Sequence, residues 1–375
     1  MSRIIRIVTG NDGGGVRTSE LMYYSALKER DITVLGVIVG GGKSTDIYKK
    51  MFEEYVELGS LPKFDGSITR KALNMWPVVV HALRESGKVK RSMAGGGSIL
   101  AVTTRQQPTL LVAALIARSF GKDLYWHAPG PLMGGLQRAF LGLAKKVNRI
   151  RVIANSRYTA TQLGVSASNV VYPGFDAKRL SVEEPGRYRK ALGIPDGKSV
   201  YAIVARVNYE KASDLVVEGF VGSQPFEEGS HLVMAGHADR PEFLEKVRSY
   251  AQTHGKGQIH MLEFVEDVGN LIGDSDIVIN GRRGPEPFGI SIVEAMWSGK
   301  PVLAFGEGGP EETVRDGETG WLVKEATATG YREALDRSWI DRDRWSEFGR
   351  QGKEFSGKFA VEVQVLKYLE VLGLR

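Results

Sequence analysis

Residues 277–305 read IVINGRRGPEPFGISIVEAMWSGKPVLAF, and this stretch decides the fold that the sequence predicts. A β-branched run, Ile277–Asn280, ends in a loop rich in glycine and proline. A segment with helical apolar spacing follows at Ile290–Trp297, and Gly299 ends it before a second apolar run, Val302–Phe305. Strand, helix and strand in this order predict a parallel βαβ unit.

The same alternation continues along the chain. Short apolar runs with the length of strands are separated by segments with helical spacing, such as Leu21–Leu27, Leu110–Ala117 and Leu215–Val221. Alternation of this kind predicts an α/β fold of parallel sheets with helices on both faces. The further strand candidates are Ile4–Thr9, Thr33–Val39, Ile99–Thr103, Leu124–His127, Val152–Ala154, Val200–Val204, His231–Ala235 and Ile259–Leu262.

The alternation pauses once, which predicts two domains. Turn-forming residues cluster over 172–186, and the pattern restarts at Ser199. A chain of 375 residues is also long for one domain. We therefore expect an N-terminal Rossmann-like domain over 1–175 and a C-terminal one over 180–356, with a terminal helix at about 357–375 packing back on the first. The two would face each other across a cleft, where ligands bind at the carboxyl ends of the strands.

Composition excludes several classes of protein. A hydrophobic content of 42% and a charged content of 25% exclude a disordered chain. The absence of cysteine excludes disulfides, thiolate metal sites and a cysteine nucleophile. The stretch Met1–Thr9 reads as a first strand rather than a signal peptide, and the best apolar run, Leu110–Ala117, is too short to span a bilayer. We expect a cytoplasmic protein, with peripheral attachment to the inner face of the cell membrane left open.

Charge is unevenly distributed between the two halves of the chain. Residues 1–175 hold 24 Lys and Arg against 11 Asp and Glu, a balance of +13, whereas the remainder holds 26 against 33, a balance of −7. The basic half would attract an anionic membrane surface or a phosphorylated acceptor. A solvated basic face without a partner is an equally good interpretation. Nucleic acid is not expected as a partner, because the basic segments lack interleaved aromatic residues.

The start of the helix at 290–297 is the best candidate for a ligand site. Backbone N–H groups of residues 288–291 would be unpaired there, and such groups suit a diphosphate. Glu286 precedes the helix and Glu294 lies in its second turn, so both carboxylates would reach the ligand. Taken alone, the same residues also fit an ordinary capped surface helix.

Three other segments add candidate residues at strand ends. Arg206 and Lys211 flank the turn after strand 200–204, where two cations could hold a diphosphate leaving group. Gly14 and Gly15 end a glycine run after the first strand and would let the backbone approach a ligand. His127 ends another strand candidate. Solvated loop charges, a plain turn and a structural histidine are the respective alternatives.

As a set, these motifs resemble glycosyltransferase family 4, whose enzymes have the GT-B fold. They occur in the family's order and cover nearly the whole chain. The matching segments are the glycine run before Val16, Ala154–Ala160, Tyr172–Asp176, Arg206 with Lys211, Glu286–Glu294, and Gly308–Glu311 followed by Asp316–Val323.

The resemblance implies a role for each candidate residue. Arg206 and Lys211 would bind the donor diphosphate, Glu294 would bind the ribose hydroxyls, and Glu286 would contact the donor sugar near its reacting end. His127 would contact the donor, and the loop with Gly14 and Gly15 would close over the donor from the N-terminal side. The remaining donor-binding positions act through backbone groups: Gly14, Gly15, Phe288, Gly289, Ile290 and Ser291.

The resemblance also implies the reaction. A hexose-type sugar would pass from a UDP- or GDP-sugar to a hydroxyl of a glycan or glycolipid, with retention of configuration, no metal and no cofactor. The C-terminal domain would bind the donor and the N-terminal domain the acceptor, in cell-surface polysaccharide, lipopolysaccharide or glycolipid synthesis. An epimerase or phosphorylase of the same architecture, and a catalytically silent subunit that binds nucleotide sugar, are the alternatives.

Two features need a separate interpretation. Arg282 and Arg283 stand where the family has a pair of small residues, and they would bind donor phosphate, an acidic sugar or an acidic acceptor, or face solvent. Asp274 and Asp276 form an Asp-x-Asp sequence typical of metal-dependent glycosyltransferases, but it directly precedes a strand candidate. We therefore predict that these two aspartates mark a turn.

Overall fold

The computed structural model describes residues 3–61, 75–92, 98–131 and 134–374, and the chain divides into two compact units. The first unit comprises Met1–Gly174 and Val361–Arg375, and the second comprises Phe175–Ala360. Each unit holds one six-stranded sheet in which all neighbouring strands pair in parallel. The predicted α/β class with parallel sheets is confirmed.

The sheet of the first unit has the strand order β3-β2-β1-β4-β5-β6. The order reverses beside β1, which places a switch point between the carboxyl ends of β1 and β4. Ile5, Val37 and Leu100 on adjacent strands are fully buried, so the sheet forms the centre of the core. Its strands are β1 Arg3–Thr9, β2 Thr33–Val39, β3 Glu54–Leu58, β4 Ser98–Val102, β5 Leu124–Ala128 and β6 Ile150–Ala154. Its helices up to residue 174 are α1 Gly15–Lys28, α2 Thr45–Met51, α3 Met75–Ser92, α4 Gln107–Ser119, α5 Gly135–Val147 and α6 Arg157–Leu163.

The sheet of the second unit repeats this plan, with the order β12-β11-β10-β7-β8-β9. Here the order reverses between β7 and β10, so the loops that follow these two strands lie side by side. Its strands are β7 Val200–Val204, β8 His231–Ala235, β9 Ile259–Leu262, β10 Ile277–Asn280, β11 Val302–Phe305 and β12 Gly320–Val323. Its helices are α7 Arg187–Ala191, α8 Ser213–Val221, α9 Gln224–Glu227, α10 Pro241–His254, α11 Val268–Asp274, α12 Ile290–Trp297, α13 Pro310–Thr313, α14 Ala328–Ile340 and α15 Trp345–Ser356.

Short 3-10 turns connect several of these elements, and a last helix returns to the first unit. That helix, α16 Val361–Val371, packs beside α1 and buries Val365 and Tyr368. No helix in the described ranges is long and apolar enough to cross a bilayer. The 3-10 turns are Ala167–Asn169, Ala177–Leu180, Arg342–Arg344 and Gly357–Phe359.

A buried ionic cluster joins α16 to the first sheet. Arg6 on β1 forms an ion pair with Glu20 on α1, and both side chains are at most 3% exposed. The guanidinium also donates hydrogen bonds to the hydroxyls of Tyr368 and Thr103. Burial opposes the charge of Arg6, but Glu20 and Tyr368 raise its pKa above the ordinary value. Such a pair is stable only when its remaining polar groups are also satisfied.

Candidate active site

The loop between β10 and α12 is fixed at both ends. Gly289, which caps α12, has a φ of 88°, a left-handed conformation that favours glycine. Asn280, the last residue of β10, donates from Nδ2 to the Ser291 hydroxyl at 3.0 Å. The helix therefore begins where the sequence predicts, with its first backbone N–H groups at residues 290 and 291.

A second loop holds this segment in place from β11. Glu286 donates its backbone N–H to the carbonyl of Glu307 at 3.1 Å, and Gly309 donates to the carbonyl of Glu286 at 2.7 Å. A Cβ atom on Gly309 would lie 2.4 Å from the Cα of Phe288. The Gly308–Glu311 motif is thus a backbone clamp that only glycine at position 309 permits.

Lys211 and Glu286 form the central ion pair of the second unit's site. Lys211 Nζ lies 2.6 Å from Glu286 Oε2, and the two side chains are 19% and 11% exposed. The Lys211 backbone N–H donates to Asn208 Oδ1 at 2.8 Å, which fixes the turn before α8. The structure therefore brings together two residues that the sequence placed 75 positions apart.

Arg206 has a different carboxylate partner. Its Nη1 donates to both oxygens of Asp239, at 3.0 and 2.8 Å, and its side chain is 54% exposed. Asn208 donates to the same carboxylate at 2.5 Å. Arg206 and Lys211 lie in one loop as predicted, but the charge of Arg206 is compensated by an aspartate that sequence motifs did not indicate.

Glu294 is a buried carboxyl on α12. Burial raises its pKa to about 7, and Asp176 adds to the rise. Arg179, in the turn Ala177–Leu180, lies 3.7 Å from Glu294 Oε1 and opposes that rise. Arg179 is a functional candidate that sequence reasoning missed, because it belongs to no motif and approaches from a segment more than a hundred residues away.

Arg283 is held in a structural ion pair. Its guanidinium donates to both oxygens of Asp214 on α8, at 2.8 and 2.9 Å, and lies 3.9 Å from the centre of the Tyr209 ring. The Asp214 side chain is only 6% exposed, and Lys246 also contacts it. Burial raises the pKa of Asp214, but Arg283 and Lys246 together bring that pKa below its ordinary value.

The predicted residues of the first unit lie after β1 and in β5. Gly14, with a φ of 55°, caps α1, and Gly15 is its first residue. His127 is 3% exposed, donates from Nε2 to the carbonyl of Val171 at 2.9 Å, and stacks against Tyr368. Burial lowers the pKa of His127 to about 4, with a further lowering from a nearby arginine. The imidazole is therefore neutral at pH 7, and its proposed contact with the donor stays a prediction.

The Asp-x-Asp sequence has a structural role in the second unit. Asp274 accepts backbone hydrogen bonds from Gly186 and Tyr188, at 2.6 and 2.7 Å. Asp276 accepts from the Val200 N–H and from Arg189, both at 2.7 Å. Both carboxylates thus hold the α7 segment and the start of β7. Within the described ranges, no group of three or more His, Asp or Glu residues could hold a metal ion.

Comparison with known proteins gives a family match within the second unit. Residues 186–355 match the family of glycosyl transferases group 1. This group 1 match contains the Lys211–Glu286 pair, Glu294 and the whole β10–α12 segment.

Curated relatives of this chain include glycosyltransferases and glycogen synthases. D-inositol 3-phosphate glycosyltransferase of Nocardia farcinica is 28% identical over 223 residues, 56% of this chain and 49% of the relative. The lipopolysaccharide core biosynthesis mannosyltransferase LpsB of Rhizobium meliloti is 28% identical over 218 residues, 56% of this chain and 62% of the relative. A glycogen synthase of Pseudomonas putida is 32% identical over 153 residues, 40% of this chain and 28% of the relative. Each alignment thus covers less than two thirds of the relative's length.

Solved structures share the fold over the whole chain. Anabaena Alr3699/HepE in complex with UDP superposes with a TM-score of 0.80 at 20% identity, covering 99% of both chains. WaaG, a glycosyltransferase involved in lipopolysaccharide biosynthesis, superposes with a TM-score of 0.72 at 13% identity, also covering 99% of both. The predicted GT-B fold is therefore confirmed.

Proposed function

We propose that this chain is a retaining, metal-independent glycosyltransferase of family 4 that moves a hexose-type sugar from a UDP- or GDP-sugar to an acceptor hydroxyl. The observation that carries the proposal is the largely buried pair of Lys211 and Glu286 beside the start of α12. A cation and a helix start in one place suit the diphosphate of a nucleotide sugar.

Lys211 would stabilise the leaving diphosphate. Negative charge develops on that group as the sugar departs, and a fixed ammonium in a site of low exposure stabilises it more than water would. The backbone N–H groups at Ile290 and Ser291 would add to this stabilisation. Phe288 and Gly289 would place backbone groups against the sugar and phosphate.

Glu286 and Glu294 would bind the two ends of the donor. Glu286 lies next to Lys211, so its carboxylate would contact the sugar hydroxyls near the reacting carbon. Glu294 would accept hydrogen bonds from the ribose hydroxyls. Arg206 would approach the diphosphate from the same loop as Lys211, after exchanging its contact with Asp239 for one with phosphate.

Retention of configuration would follow from attack on the face that the leaving group vacates. The acceptor hydroxyl would react with a sugar that has oxocarbenium character, and the departing diphosphate oxygen would take the proton. The enzyme then mainly holds geometry. His127 and the loop at Gly14 and Gly15 would complete the donor contacts, and no metal or cofactor would be required.

The acceptor would be a glycan, a glycolipid or another molecule with a free hydroxyl. The first 175 residues carry a balance of +13, and one relative acts in lipopolysaccharide core biosynthesis. These observations favour cell-surface polysaccharide, lipopolysaccharide or glycolipid synthesis, with the protein cytoplasmic or attached peripherally to the inner face of the membrane. No nucleic acid would be involved.

The first test is thermal melting with UDP-, GDP-, ADP- and dTDP-sugars in the presence of EDTA. A ligand at about a hundred times its Kd stabilises the folded state by about 2.7 kcal/mol, which is a clear shift. We expect a shift with one nucleotide series for the wild type. The absence of any shift from a folded sample would contradict the donor site.

Measurements of turnover then distinguish an active enzyme from a catalytically silent subunit. Lys211→Ala should raise the activation free energy that corresponds to kcat/KM by roughly 3–4 kcal/mol, which is the magnitude for losing one oxyanion-type donor. Lys256→Ala is the matched control, because that lysine is 63% exposed and pairs with a surface glutamate. Binding without sugar transfer to any glycan or glycolipid, and without donor hydrolysis, would favour a catalytically silent nucleotide-sugar-binding subunit.

A further inference from the structure

Arg282 shares its carboxylate with Lys211. Arg282 Nε lies 3.5 Å from Glu286 Oε2, the same oxygen that Lys211 Nζ contacts at 2.6 Å. The three side chains are between 11% and 19% exposed, so solvent screens their charges only partly. Two cations thus meet one anion at this point.

The guanidinium of Arg282 has spare hydrogen-bonding capacity. In the part of the chain that the structure describes, Nε is buried and has no hydrogen-bond partner, although Glu286 Oε2 lies 3.5 Å away as an ion-pair partner. Nη2 donates to the carbonyl of Pro285 at 3.3 Å, which is a weak contact. A buried donor without a partner costs free energy, so it marks a place where a ligand acceptor would be bound favourably.

The backbone of Arg282 is held rigidly. Its N–H donates to the Tyr331 hydroxyl at 2.7 Å, and that hydroxyl donates to the carbonyl of the same arginine at 2.7 Å. Tyr331 is fully buried in the core of the second unit. The root of the Arg282 side chain is therefore fixed before any ligand binds, which lowers the entropic cost of using it.

The neighbouring arginine does not share these properties. Arg283 is compensated by Asp214 and stacked on Tyr209, whereas Arg282 shares a single carboxylate with a lysine. One unit of positive charge therefore remains uncompensated among Lys211, Arg282 and Glu286. An anionic ligand group would balance it.

We propose that Arg282, together with Lys211, binds the diphosphate of the donor. This inference rests on the proposed function and adds a residue to it, because the resemblance assigned the second cation to Arg206. In the structure Arg206 is more than half exposed and paired with Asp239, whereas Arg282 reaches the oxygen that Lys211 contacts. Glu286 marks the place where an anionic oxygen is within reach of both cations.

The test compares UDP with UMP, because the two differ by the phosphate in question. Both are titrated calorimetrically in EDTA, with GDP and GMP in parallel, against wild type, Arg282→Met and Arg282→Lys. We expect Arg282→Met to raise the Kd of UDP about tenfold to a hundredfold, the range for a hydrogen-bonded charge, while the Kd of UMP changes less than about twofold. Arg282→Lys should recover part of the loss, because a point charge replaces the planar donor.

Arg248→Met is the matched control. Arg248 lies on α10, is 46% exposed and pairs with Glu245, so its removal changes the net charge by the same amount without touching the site. An unchanged ratio of the UDP and UMP Kd values in Arg282→Met would overturn the inference. This holds whether both affinities stay at the wild-type level or fall by the same factor. If Arg282→Met affects only a uronic-acid donor and not UDP, the arginine binds a sugar carboxylate and the inference is also wrong.

The outcome also separates this inference from the proposed function. A wild type that binds UDP and transfers sugar, beside an Arg282→Met variant with the same UDP preference, leaves the function standing and removes Arg282 from the donor site. A wild type that binds no nucleotide at all overturns both. Should Arg282→Met fail to fold, Arg282→Gln keeps a polar side chain and tests the same charge.

Discussion

At the scale of single residues, the carboxyl of Glu294 couples the stability of the second unit to pH. It is buried on α12, and the nearest cation, that of Arg179, lies 3.7 Å away. Removal from water therefore outweighs the attraction of Arg179, and the pKa rises from 4.5 to about 7. The folded protein holds a proton there that the unfolded chain releases in mildly acidic solution.

This difference predicts a pH-dependent stability. Since the folded pKa lies above the unfolded one, the stabilising contribution is fully present below about pH 4.5 and is lost as the pH rises through 7. A glutamine cannot ionise, so at pH 8 Glu294→Gln should unfold at a higher denaturant concentration than the wild type. Its free energy of unfolding should be larger by on the order of 1–3 kcal/mol. The difference should shrink toward pH 5. Urea titrations at the two pH values measure it, and a constant difference would show that Glu294 is not the titrating group.

The adjacent residues Arg282 and Arg283 show how far sequence alone can specify a site. Motif spacing predicted Lys211, Glu286 and the glycine at 289, because each depends on local chain geometry near a strand end or a helix start. It could not separate Arg282 from Arg283, because their partners, Glu286 and Asp214, are decided by tertiary packing. The pairing of Arg206 was missed for the same reason.

At the scale of elements, the β10–α12 segment owes its shape to the clamp at Gly308 and Gly309. Gly309 has ordinary helical backbone angles, so an alanine would cause no backbone strain there. Its Cβ would nevertheless lie 2.4 Å from the Cα of Phe288 and 2.7 Å from its carbonyl oxygen. Because both atoms belong to the main chain, the loop that carries Glu286 would have to move.

We therefore expect Gly309→Ala to lower both stability and nucleotide binding. Overpacking of this kind typically costs about 1–3 kcal/mol in unfolding free energy. The matched control is Gly284→Ala in the adjacent loop, where an added Cβ meets no described atom within 4 Å, and its stability should stay within about 0.5 kcal/mol of wild type. Chemical denaturation and nucleotide titration of the two variants provide the measurement. Wild-type values for Gly309→Ala would contradict the clamp.

Most, but not all, strands were predictable from apolar runs. The two that were missed, Glu54–Leu58 and Gly320–Val323, are the edge strands at β3 and β12. The first carries exposed glutamates, which are common on edge strands because they discourage pairing with other chains. The second begins with a glycine, where a Cβ would collide with the backbone of Val302. Each of these strands has only three apolar residues and begins with a residue that is disfavoured in strands, so its apolar signal in the sequence is weak.

At the scale of the whole molecule, strand–helix alternation was sufficient to predict parallel sheets, whereas the GT-B fold was implied by the resemblance of the motifs to glycosyltransferase family 4. It could not predict the polar interior of the first unit. There Arg6 on β1 meets Glu20 on α1 and Tyr368 on α16, three residues whose partnership spans more than 360 positions. Neither the charge nor the aromatic ring is distinctive where it stands in the sequence, so only the folded structure shows that they are joined.

The cluster of Arg6, Glu20 and Tyr368 predicts which part of the molecule depends on α16 for its stability. Tyr368→Phe keeps the ring but leaves Arg6 without one buried acceptor, which should cost about 1–3 kcal/mol. Hydrogen exchange should quicken in β1, β2 and α1, while β7 and β8 keep wild-type protection, if each unit opens as its own cooperative body.

The reciprocal control lies in the second unit. The buried Tyr201 hydroxyl is 3.2 Å from Ser338 Oγ, so Tyr201→Phe should quicken exchange in β7 and β8 and leave β1 unchanged. Its effect should be smaller, because no charge loses a partner. Equal loss of protection in both units from either substitution would show that the two units unfold together. A Tyr368→Phe variant as well protected as the wild type would show instead that the hydroxyl contributes little to holding Arg6.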